Sequence, residues 1–441
     1  NLLVMFIDFG FKTTIIQMLA SKSSIGQIEV FSNVFLSRLF VIIIVFVIFI
    51  FGDKLLGYFD LSKSIVSYSI YIPIMVAAQS LDELCMSGLQ GCHAYHFSAI
   101  VWALRSILRL VLTFIFLHFF KLDILGLVYS YIISFGISAV IQYLLIPIRK
   151  KFIFSFKIMK EILTFSIPIQ LGRFFWFASS RMSTLLLAMF VGPVQVAYYG
   201  VAERIPKAFQ NLYAAFISVF FPNMSTLFAE KKYEKATATM NQSLRLFSFL
   251  MAFSALVIIL FGKQIVILLF TSEYAESAPV FSLLMVALHM GLLVQIMGYT
   301  LTSAGYPTRS LVENIFRATS VVLLSFLLIP RFGIIGAAMA ILFANYMSNP
   351  LAIWLLRRID IHVNNRKYML QTLTLWACAI TFYFLKLDKI YFKILLLFVY
   401  ILINILFATI SVNDIKLIIP EKIIKRVRQA LRFKKRLPET N

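Results

Sequence analysis

A set of basic side chains lies inside long apolar segments, where an unpaired charge is expensive unless it meets water, a partner or a ligand. Arginine binds phosphate or diphosphate through paired hydrogen bonds and keeps its proton when buried. The acidic residues counted in the same segments are Glu203 and Glu313, so positive charge is in excess. The set therefore predicts a cationic cavity for an anionic substrate, lined by Arg105, Arg109, Arg173, Arg181, Arg204, Lys207 and Arg317.

Helical spacing places several of these charges on common faces, because residues four apart are neighbours on a helix. Three pairs have this spacing: Arg105 with Arg109, Glu203 with Lys207, and Glu313 with Arg317. The two glutamates are therefore candidates for ion pairs or for ion coupling. Each single charge could instead be a paired structural charge, or reach the membrane interface along its apolar stem.

The chain around these charges has the composition of a polytopic membrane protein. It has 441 residues, of which 61% are hydrophobic and 14% are charged. Apolar runs of about 18 residues or more are long enough to cross a bilayer as helices. Their number predicts an all-α membrane protein in which about thirteen transmembrane helices are present. After a first span near the N-terminus, the predicted spans are 30–51, 64–88, 96–120, 124–148, 160–191, 196–228, 243–270, 277–304, 311–329, 334–356, 369–385 and 390–410.

Positive charge is concentrated in alternate connections, which predicts topology rather than nucleic-acid binding. The net charge of +22 comes largely from Lys and Arg in short loops and in the C-terminal tail. These loops, and hence the C-terminus, are predicted to be cytoplasmic in a multi-pass protein of the cell membrane. The basic clusters lie at 149–157, 231–235, 309, 357–367 and in the tail.

An internal repeat predicts the domain organisation. The segment that begins at Tyr95 resembles the one that begins at Tyr306, with Arg105 opposite Arg317 and Gly126 opposite Gly336. The offset of about 210 residues predicts that about one and a half spans precede Asn1, for about fourteen in all. The predicted parts are an incomplete N-terminal bundle (1–151), a pseudo-symmetric C-terminal bundle of six helices (152–359), a final helix pair (360–412) and a basic cytoplasmic tail (413–441).

Other polar residues give weaker signals. Cys92, His93 and His96 lie at a helix end without carboxylates, so no metal site and no cofactor are predicted. Asp82 and Glu83 lie near the end of a span and could exchange protons, be solvated or cap the helix. The sequence has no Gly-rich phosphate loop of the GxxxxGK[ST] type, so it shows no site for nucleotide hydrolysis, and no enzyme activity is predicted.

Several motifs resemble those of the Wzx-type O-antigen flippases, the polysaccharide transporter branch of the multidrug/oligosaccharidyl-lipid/polysaccharide (MOP) exporter superfamily. They are FSIPIQLGRFF, FVGPVQVAYYGVAERI, FISVFFPNMSTLFAEKKYEKA and IPRFGIIGAAMA, in this order. The resemblance implies about fourteen helices in two bundles around a V-shaped cavity. It also implies that an oligosaccharide on a polyprenyl diphosphate is moved between leaflets, with membrane lipids, a polysaccharide polymerase and a chain-length regulator as partners. Related flippases often have an acid near the position of Arg181, so no cation site is carried over.

The leading hypothesis is therefore a lipid-linked oligosaccharide flippase that works by alternating access. A drug or cation antiporter of the same superfamily should present membrane-embedded carboxylates rather than an excess of arginine. A membrane polysaccharide polymerase or glycosyltransferase typically needs a large extramembrane loop or a catalytic acidic pair, and the loops here are short. Leaflet exchange of the lipid-linked sugar separates the first hypothesis from the other two.

Overall fold

A computed structural model describes residues 7–21, 24–56, 71–386 and 389–409, and every regular element in these ranges is helical. The predicted tail at 413–441 and the first residues of the span predicted to begin at Ser64 lie outside them. The α-helices are α1 (Phe11–Ser21), α2 (Ser24–Leu56), α3 (Tyr71–Gly91), α4 (Tyr95–His118), α5 (Asp123–Leu145), α6 (Phe156–Phe190), α7 (Pro193–Ala202), α8 (Arg204–Ala229), α9 (Tyr233–Leu269), α10 (Ala278–Ser303), α11 (Pro307–Arg357), α12 (Asn365–Phe384) and α13 (Ile390–Leu406). A short 3₁₀ helix (Ser272–Ser277) lies between α9 and α10.

Seven stretches of the described chain are helical, long and apolar enough to cross a membrane, and α13 is a shorter apolar helix. The prediction of an all-α polytopic membrane protein is therefore confirmed. The seven stretches are Gly26–Phe49, Tyr95–His118, Asp123–Leu145, Val194–Ala229, Tyr233–Leu269, Ser272–Ser303 and Pro307–Arg357.

The span predicted from Val196 to Phe228 is interrupted at Glu203, between α7 and α8. Pro206 has no N–H and cannot donate to the carbonyl of Ala202 four residues earlier, which favours a break at this point. Both backbone groups of Glu203 still have helical partners, because its N–H bonds to the carbonyl of Tyr199 and its carbonyl accepts from the N–H of Lys207, each at 3.0 Å. Glu203 and Arg204 thus lie at a local break between two helices that continue each other along the chain.

Helix α11 contains two of the predicted spans, 311–329 and 334–356. The backbone leaves helical geometry at Gly333, with φ 57° and ψ −133°, which separates them. A Cβ at Gly336 would lie 2.3 Å from the carbonyl oxygen of Leu328, so only glycine fits this close approach of the two parts. The sequence repeat aligns Gly336 with Gly126, and the close approach to Leu328 explains why the second copy of the repeat needs a glycine at this position.

Close contacts divide the chain into two compact units. Unit 1 comprises the described residues within Asn1–Phe177, Leu212–Ala236 and Tyr299–Ile315, and unit 2 those within Ala178–Asn211, Thr237–Gly298 and Phe316–Asn441. The predicted bundle boundaries after residues 151, 359 and 412 stay predictions.

Helix α3 is central to unit 1, where it packs against α1, α2, α4 and α5. Its buried side chains include the apolar Leu84, Cys85 and Leu89, but they also include Asp82. Because α3 is covered by four helices, a polar side chain at its centre must find its partners within the protein.

His93 joins the turn between α3 and α4 to α8. Its Nε2 lies 2.9 Å from the hydroxyl of Thr226, and its Nδ1 lies 2.5 Å from the hydroxyl of Tyr95. His93 is exposed, and the partial burial of its ring lowers its pKa below 6.5, because part of the ring is removed from the water that would stabilise its charge. The residue has φ 59°, a conformation that asparagine also tolerates.

We expect this histidine to make stability depend on pH. Because its pKa is lower in the folded protein than in the unfolded chain, its contribution is complete above about pH 6.5 and is lost as the pH falls through the lowered value. When the pH is lowered from about 7.5 to about 5.5, the melting temperature of the His93→Asn variant should therefore decrease less than that of the wild type. Equal losses in both proteins would assign the acid sensitivity to other groups.

Candidate functional site

A buried ion pair joins the start of the described chain to α2. Asp8 is 3% exposed and Arg38 is 1% exposed, and Nη2 of Arg38 donates to Oδ1 of Asp8 at 2.7 Å. Arg38 also donates to the hydroxyl of Ser80 on α3 at 3.1 Å, and its guanidinium lies 5.8 Å from the ring centre of Phe11. Because both charges are removed from water, each needs the other as its counterion.

Arg173 brings α6 to the same carboxylate. Its Nη1 forms an ion pair with Oδ2 of Asp8, and its Nη2 donates to the hydroxyl of Thr13 at 2.8 Å. The two segments can approach because Gly10 has φ 77° and a Cβ there would lie 2.5 Å from the carbonyl oxygen of Ser166. The side chain of Arg173 remains 30% exposed, so part of its guanidinium is still accessible.

Asp82 forms a second buried site between α3, α4 and α5. It is fully buried, and its Oδ1 accepts hydrogen bonds from Ser138 at 2.5 Å and from Gln142 at 2.6 Å. Its Oδ2 forms an ion pair with Nη1 of Arg105, whose guanidinium also lies 4.3 Å from the ring centre of Phe135. The carboxylate therefore has donors on both oxygens, as a buried charge requires.

A chain of polar contacts continues from these two sites toward Arg109. Nζ of Lys12 lies 3.9 Å from Glu83, whose other oxygen accepts a hydrogen bond from Gln79 at 2.9 Å. Tyr131 donates to Gln79 at 2.5 Å, and the guanidinium of Arg109 lies 5.1 Å from the ring centre of Tyr131. Arg109 is exposed and has no ion pair or hydrogen bond to its side chain within the described part of the chain.

We name these charged residues of unit 1 the charge network. It contains five basic and three acidic side chains, so positive charge exceeds negative charge by two. Part of this excess is carried by exposed or half-buried guanidinium groups, which can bind an anion. The members are Asp8, Lys12, Arg38, Asp82, Glu83, Arg105, Arg109 and Arg173.

The predicted site residues fall into both units. Unit 1 contains Arg105, Arg109, Arg173 and Glu313, and the first three belong to the charge network. Unit 2 contains the remainder of the predicted set, and the shared cavity stays a prediction. Its members in unit 2 are Arg181, Glu203, Arg204, Lys207 and Arg317.

Within unit 2, the predicted pair of Glu203 and Lys207 forms an ion pair one helical turn apart. Both side chains are accessible, so the pair contributes little to stability. The guanidinium of Arg204 lies 5.6 Å from the ring centre of Phe270, a cation–π contact. In unit 1, Glu313 is 2% exposed and thus too well buried to be a solvated surface charge.

A comparison with known families places the charge network in a matched region. The sequence profile of the family described as "Polysaccharide biosynthesis protein" matches residues 1–228, which is more than half of the chain. The chain belongs to this family. All eight members of the charge network lie within the matched residues.

Two relatives support the membership in the polysaccharide biosynthesis family. An uncharacterized membrane protein of Methanocaldococcus jannaschii is 29% identical over 290 residues, which are 63% of this chain and 56% of that protein. The probable low-salt glycan biosynthesis flippase Agl15 of Haloferax volcanii is 21% identical over 360 residues, which are 78% of this chain and 73% of that protein. The chain thus spans between about half and three quarters of the length of these relatives.

Solved structures show the same fold at low identity. A MATE transporter in its bent conformation matches with a TM-score of 0.72 and 18% identity, over 81% of this chain and 84% of that one. A MOP superfamily transporter of Pyrococcus furiosus matches with a TM-score of 0.68 and 18% identity, over the same shares of the two chains. Together with the family match, they confirm the predicted resemblance to polysaccharide transporters of the MOP superfamily.

Five members of the charge network were outside the predicted cavity: Asp8, Lys12, Arg38, Asp82 and Glu83. The sequence reasoning counted only Glu203 and Glu313 as acids within the spans, and this count is too low, because Asp8 and Asp82 are buried among helices. It also passed over Arg38, the most deeply buried arginine of the network. The signal was present, since each of these charges lies in or beside a long apolar run where an unpaired charge would be costly.

Proposed function

We propose that this protein is a flippase that moves an oligosaccharide linked to a polyprenyl diphosphate across the cytoplasmic membrane by alternating access. The observation that carries the proposal is the charge network, in which basic residues exceed acidic ones within unit 1 of a membrane protein of the polysaccharide biosynthesis family. The name of the Haloferax volcanii relative, a probable glycan biosynthesis flippase, supports the same class of substrate.

The network suits a diphosphate better than a cation. A guanidinium has five N–H donors, and the contacts of Arg105 and Arg173 with carboxylates use only some of them. Arg109 has committed none of its donors to a carboxylate within the described residues. A diphosphate could therefore bind to Arg109 first and share Arg105 and Arg173 with their carboxylates.

In this proposal Asp8 and Asp82 hold the arginines in place rather than bind substrate. Each carboxylate orients at least one guanidinium and limits the positive charge, which prevents the anion from binding too tightly to leave. The basic residues of unit 2 (Arg181, Arg204, Lys207 and Arg317) would bind the headgroup in the other half of the transport cycle. Glu203 and Glu313 remain candidates for ion pairing or coupling.

The remaining parts of the proposal follow from the function. The protein lies in the cytoplasmic membrane as a multi-pass protein with a cytoplasmic C-terminus, as the basic loops predict. Transport involves no covalent chemistry, so no catalytic residue and no cofactor are assigned. A polysaccharide polymerase and a chain-length regulator would act on the product and are the proposed protein partners.

Leaflet exchange in proteoliposomes tests the proposal. A polyprenyl-diphosphate oligosaccharide with a fluorescent sugar is placed in both leaflets, and a membrane-impermeant quencher reports the fraction that exchanges. We expect the purified protein to make nearly all of the label accessible, whereas protein-free vesicles protect about half. Protection that stays at about half with folded protein would overturn the proposal, and formation of longer sugar chains would favour a polymerase.

A second candidate is an antiporter for drugs or cations, and one observation favours it. The described residues include three buried carboxylates, Asp8, Asp82 and Glu313, which the sequence reasoning expected of an antiporter rather than of a flippase. Asp8 and Asp82 are, however, already paired with arginine, and an arginine beside a carboxylate opposes the binding of a second cation. Efflux of a cationic dye from the same proteoliposomes, driven by a proton or sodium gradient, would support the antiporter.

A further inference from the structure

A groove of about 500 Å³ lies within unit 2, between α10, the second part of α11 and the start of α12. Its two sides run antiparallel, because Arg357 at the end of α11 and Asn365 at the start of α12 line the same end. Asn349 and Leu373 each lie eight residues away, about 12 Å along their helices. The groove therefore has a polar mouth and a long interior, with an apolar lining that includes Met290, Pro350, Ile353, Trp354, Met369 and Leu373.

The interior contains a polar donor that the fold does not use. Asn349 is 4% exposed, and its Oδ1 accepts a hydrogen bond from the hydroxyl of Tyr368 at 3.3 Å. Its Nδ2 is buried and has no hydrogen-bond partner among the described residues. A buried amide without an acceptor is unfavourable, and a ligand with an oxygen acceptor in the groove would remove this cost.

The mouth of the groove is basic and held in a fixed shape. Arg357 lines it, and Arg366 follows at the first turn of α12. Asn241 of α9 fixes the connection between the two helices, since its side chain donates to the carbonyl of His362 at 2.9 Å and accepts from the N–H of Asn364 at 2.7 Å. The positive charge at the mouth is thus set in place before any ligand arrives.

The walls of the groove indicate that it opens toward lipid. Trp354, Met369 and Leu373 are large apolar side chains that line the groove and are also exposed on the outside of the protein. In a membrane protein such a surface faces acyl chains, and tryptophan beside arginine is typical of the interface with water. A water-soluble ligand would not need this apolar exit.

We propose that this groove binds one anionic phospholipid of the surrounding bilayer. The phosphate binds to Arg357 at the mouth, an ester carbonyl accepts a hydrogen bond from Nδ2 of Asn349, and an acyl chain lies along Ile353, Met369 and Leu373. Side chains on a helix point toward its N-terminus, and Asn349 lies on the N-terminal side of Arg357. We therefore expect the distance from the guanidinium of Arg357 to Asn349 to be shorter than the distance between the two backbones. The lipid would fix α12 against α11.

Native mass spectrometry of the purified full chain tests the proposal. The protein is incubated in detergent with phosphatidylglycerol or with phosphatidylcholine, and the number and retention of bound lipids are compared. We expect one phosphatidylglycerol to be retained more firmly than any phosphatidylcholine. The Arg357→Gln and Asn349→Leu variants should each weaken this binding by about tenfold, because each removes a hydrogen bond to a charged or buried group.

The matched control is Arg358→Gln, which removes the same charge one residue later. Arg358 lies over the ring of Trp354, 4.8 Å from its centre, and is not part of the groove lining. It should bind phosphatidylglycerol within about twofold of the wild type. Size-exclusion elution and melting temperature confirm that each variant is folded.

Four outcomes would overturn the proposal. Equal losses in Arg357→Gln and Arg358→Gln would show a diffuse surface charge effect, and equal retention of both phospholipids would remove the role of the anion. Protection of the melting temperature by inorganic phosphate alone, to the same extent as by phosphatidylglycerol, would assign the mouth to a free anion. Displacement of the phospholipid by an equimolar polyprenyl phosphate would assign the groove to an isoprenoid chain instead.

Discussion

Replacement of Asp8 by asparagine is expected to lower the free energy of unfolding by about 3–5 kcal/mol, the usual cost of breaking a buried ion pair by removing one partner. Arg38 is 1% exposed and would keep its charge without a counterion, while Arg173 would lose the same partner. Asparagine has nearly the shape of aspartate, so the loss reports the charge rather than a cavity. Denaturant unfolding of the purified protein in detergent measures it.

A double variant separates the charge from the position. Asp8→Asn with Arg38→Met removes both buried charges and leaves an apolar side chain of similar length, so we expect it to regain most of the lost stability. Arg173 does not need replacement, because its side chain is 30% exposed and water can reach it. A double variant that is no more stable than Asp8→Asn alone would contradict this explanation.

The matched control for this pair is Glu83→Gln. Glu83 lies 3.9 Å from Lys12, and both side chains are partly exposed. A contact of this kind contributes less than about 1 kcal/mol. A loss in Glu83→Gln as large as that in Asp8→Asn would show that the whole network, and not burial of one pair, sets the cost.

The sequence predicted the fold well because membrane spans depend on local composition. A run of apolar residues longer than about 18 must become a helix in a bilayer, whatever its neighbours are. The two breaks also have local causes, namely Pro206 in the first turn of α8 and Gly333 in α11. The loop charges predict sidedness from sequence, and this prediction stays open.

The candidate site was predicted only in part, because pairing depends on contacts between distant residues. Arg105 and Arg109 were correctly placed on one helical face, where they lie over Phe135 and Tyr131 of α5. Nothing in the local sequence indicates that Asp8 meets Arg173, which is 165 residues later. Spacing shows which charges share a helix face, but only the packing of helices shows which are neutralised.

This distinction changes the ranking of the predicted arginines. By sequence, Arg105, Arg109 and Arg173 are equivalent basic residues within spans. In the structure, Arg105 and Arg173 are bound to carboxylates, whereas Arg109 contacts only the face of Tyr131 among the described residues. The free guanidinium is the one that a diphosphate can bind without displacing a partner, so Arg109 becomes the most informative position for function.

The Arg109→Gln variant is therefore expected to slow leaflet exchange of the lipid-linked oligosaccharide by at least about tenfold, the effect of losing a hydrogen bond to a charged group. Its stability should change by less than about 0.5 kcal/mol, because Arg109 is exposed and has no ion pair to break. Arg109→Lys keeps the charge but loses the two-pronged donor and should retain an intermediate rate.

Arg331→Gln is the control for this variant, since it removes one exposed positive charge from α11 outside the network. It should exchange lipid at the rate of the wild type. If Arg109→Gln and Arg331→Gln slow exchange equally, the effect comes from net charge and the network does not bind the substrate. If Arg109→Gln slows leaflet exchange, Arg331→Gln exchanges lipid at the rate of the wild type, and both proteins are equally stable, no fold defect can account for the difference. This result would assign binding of the diphosphate to the guanidinium of Arg109 in the charge network.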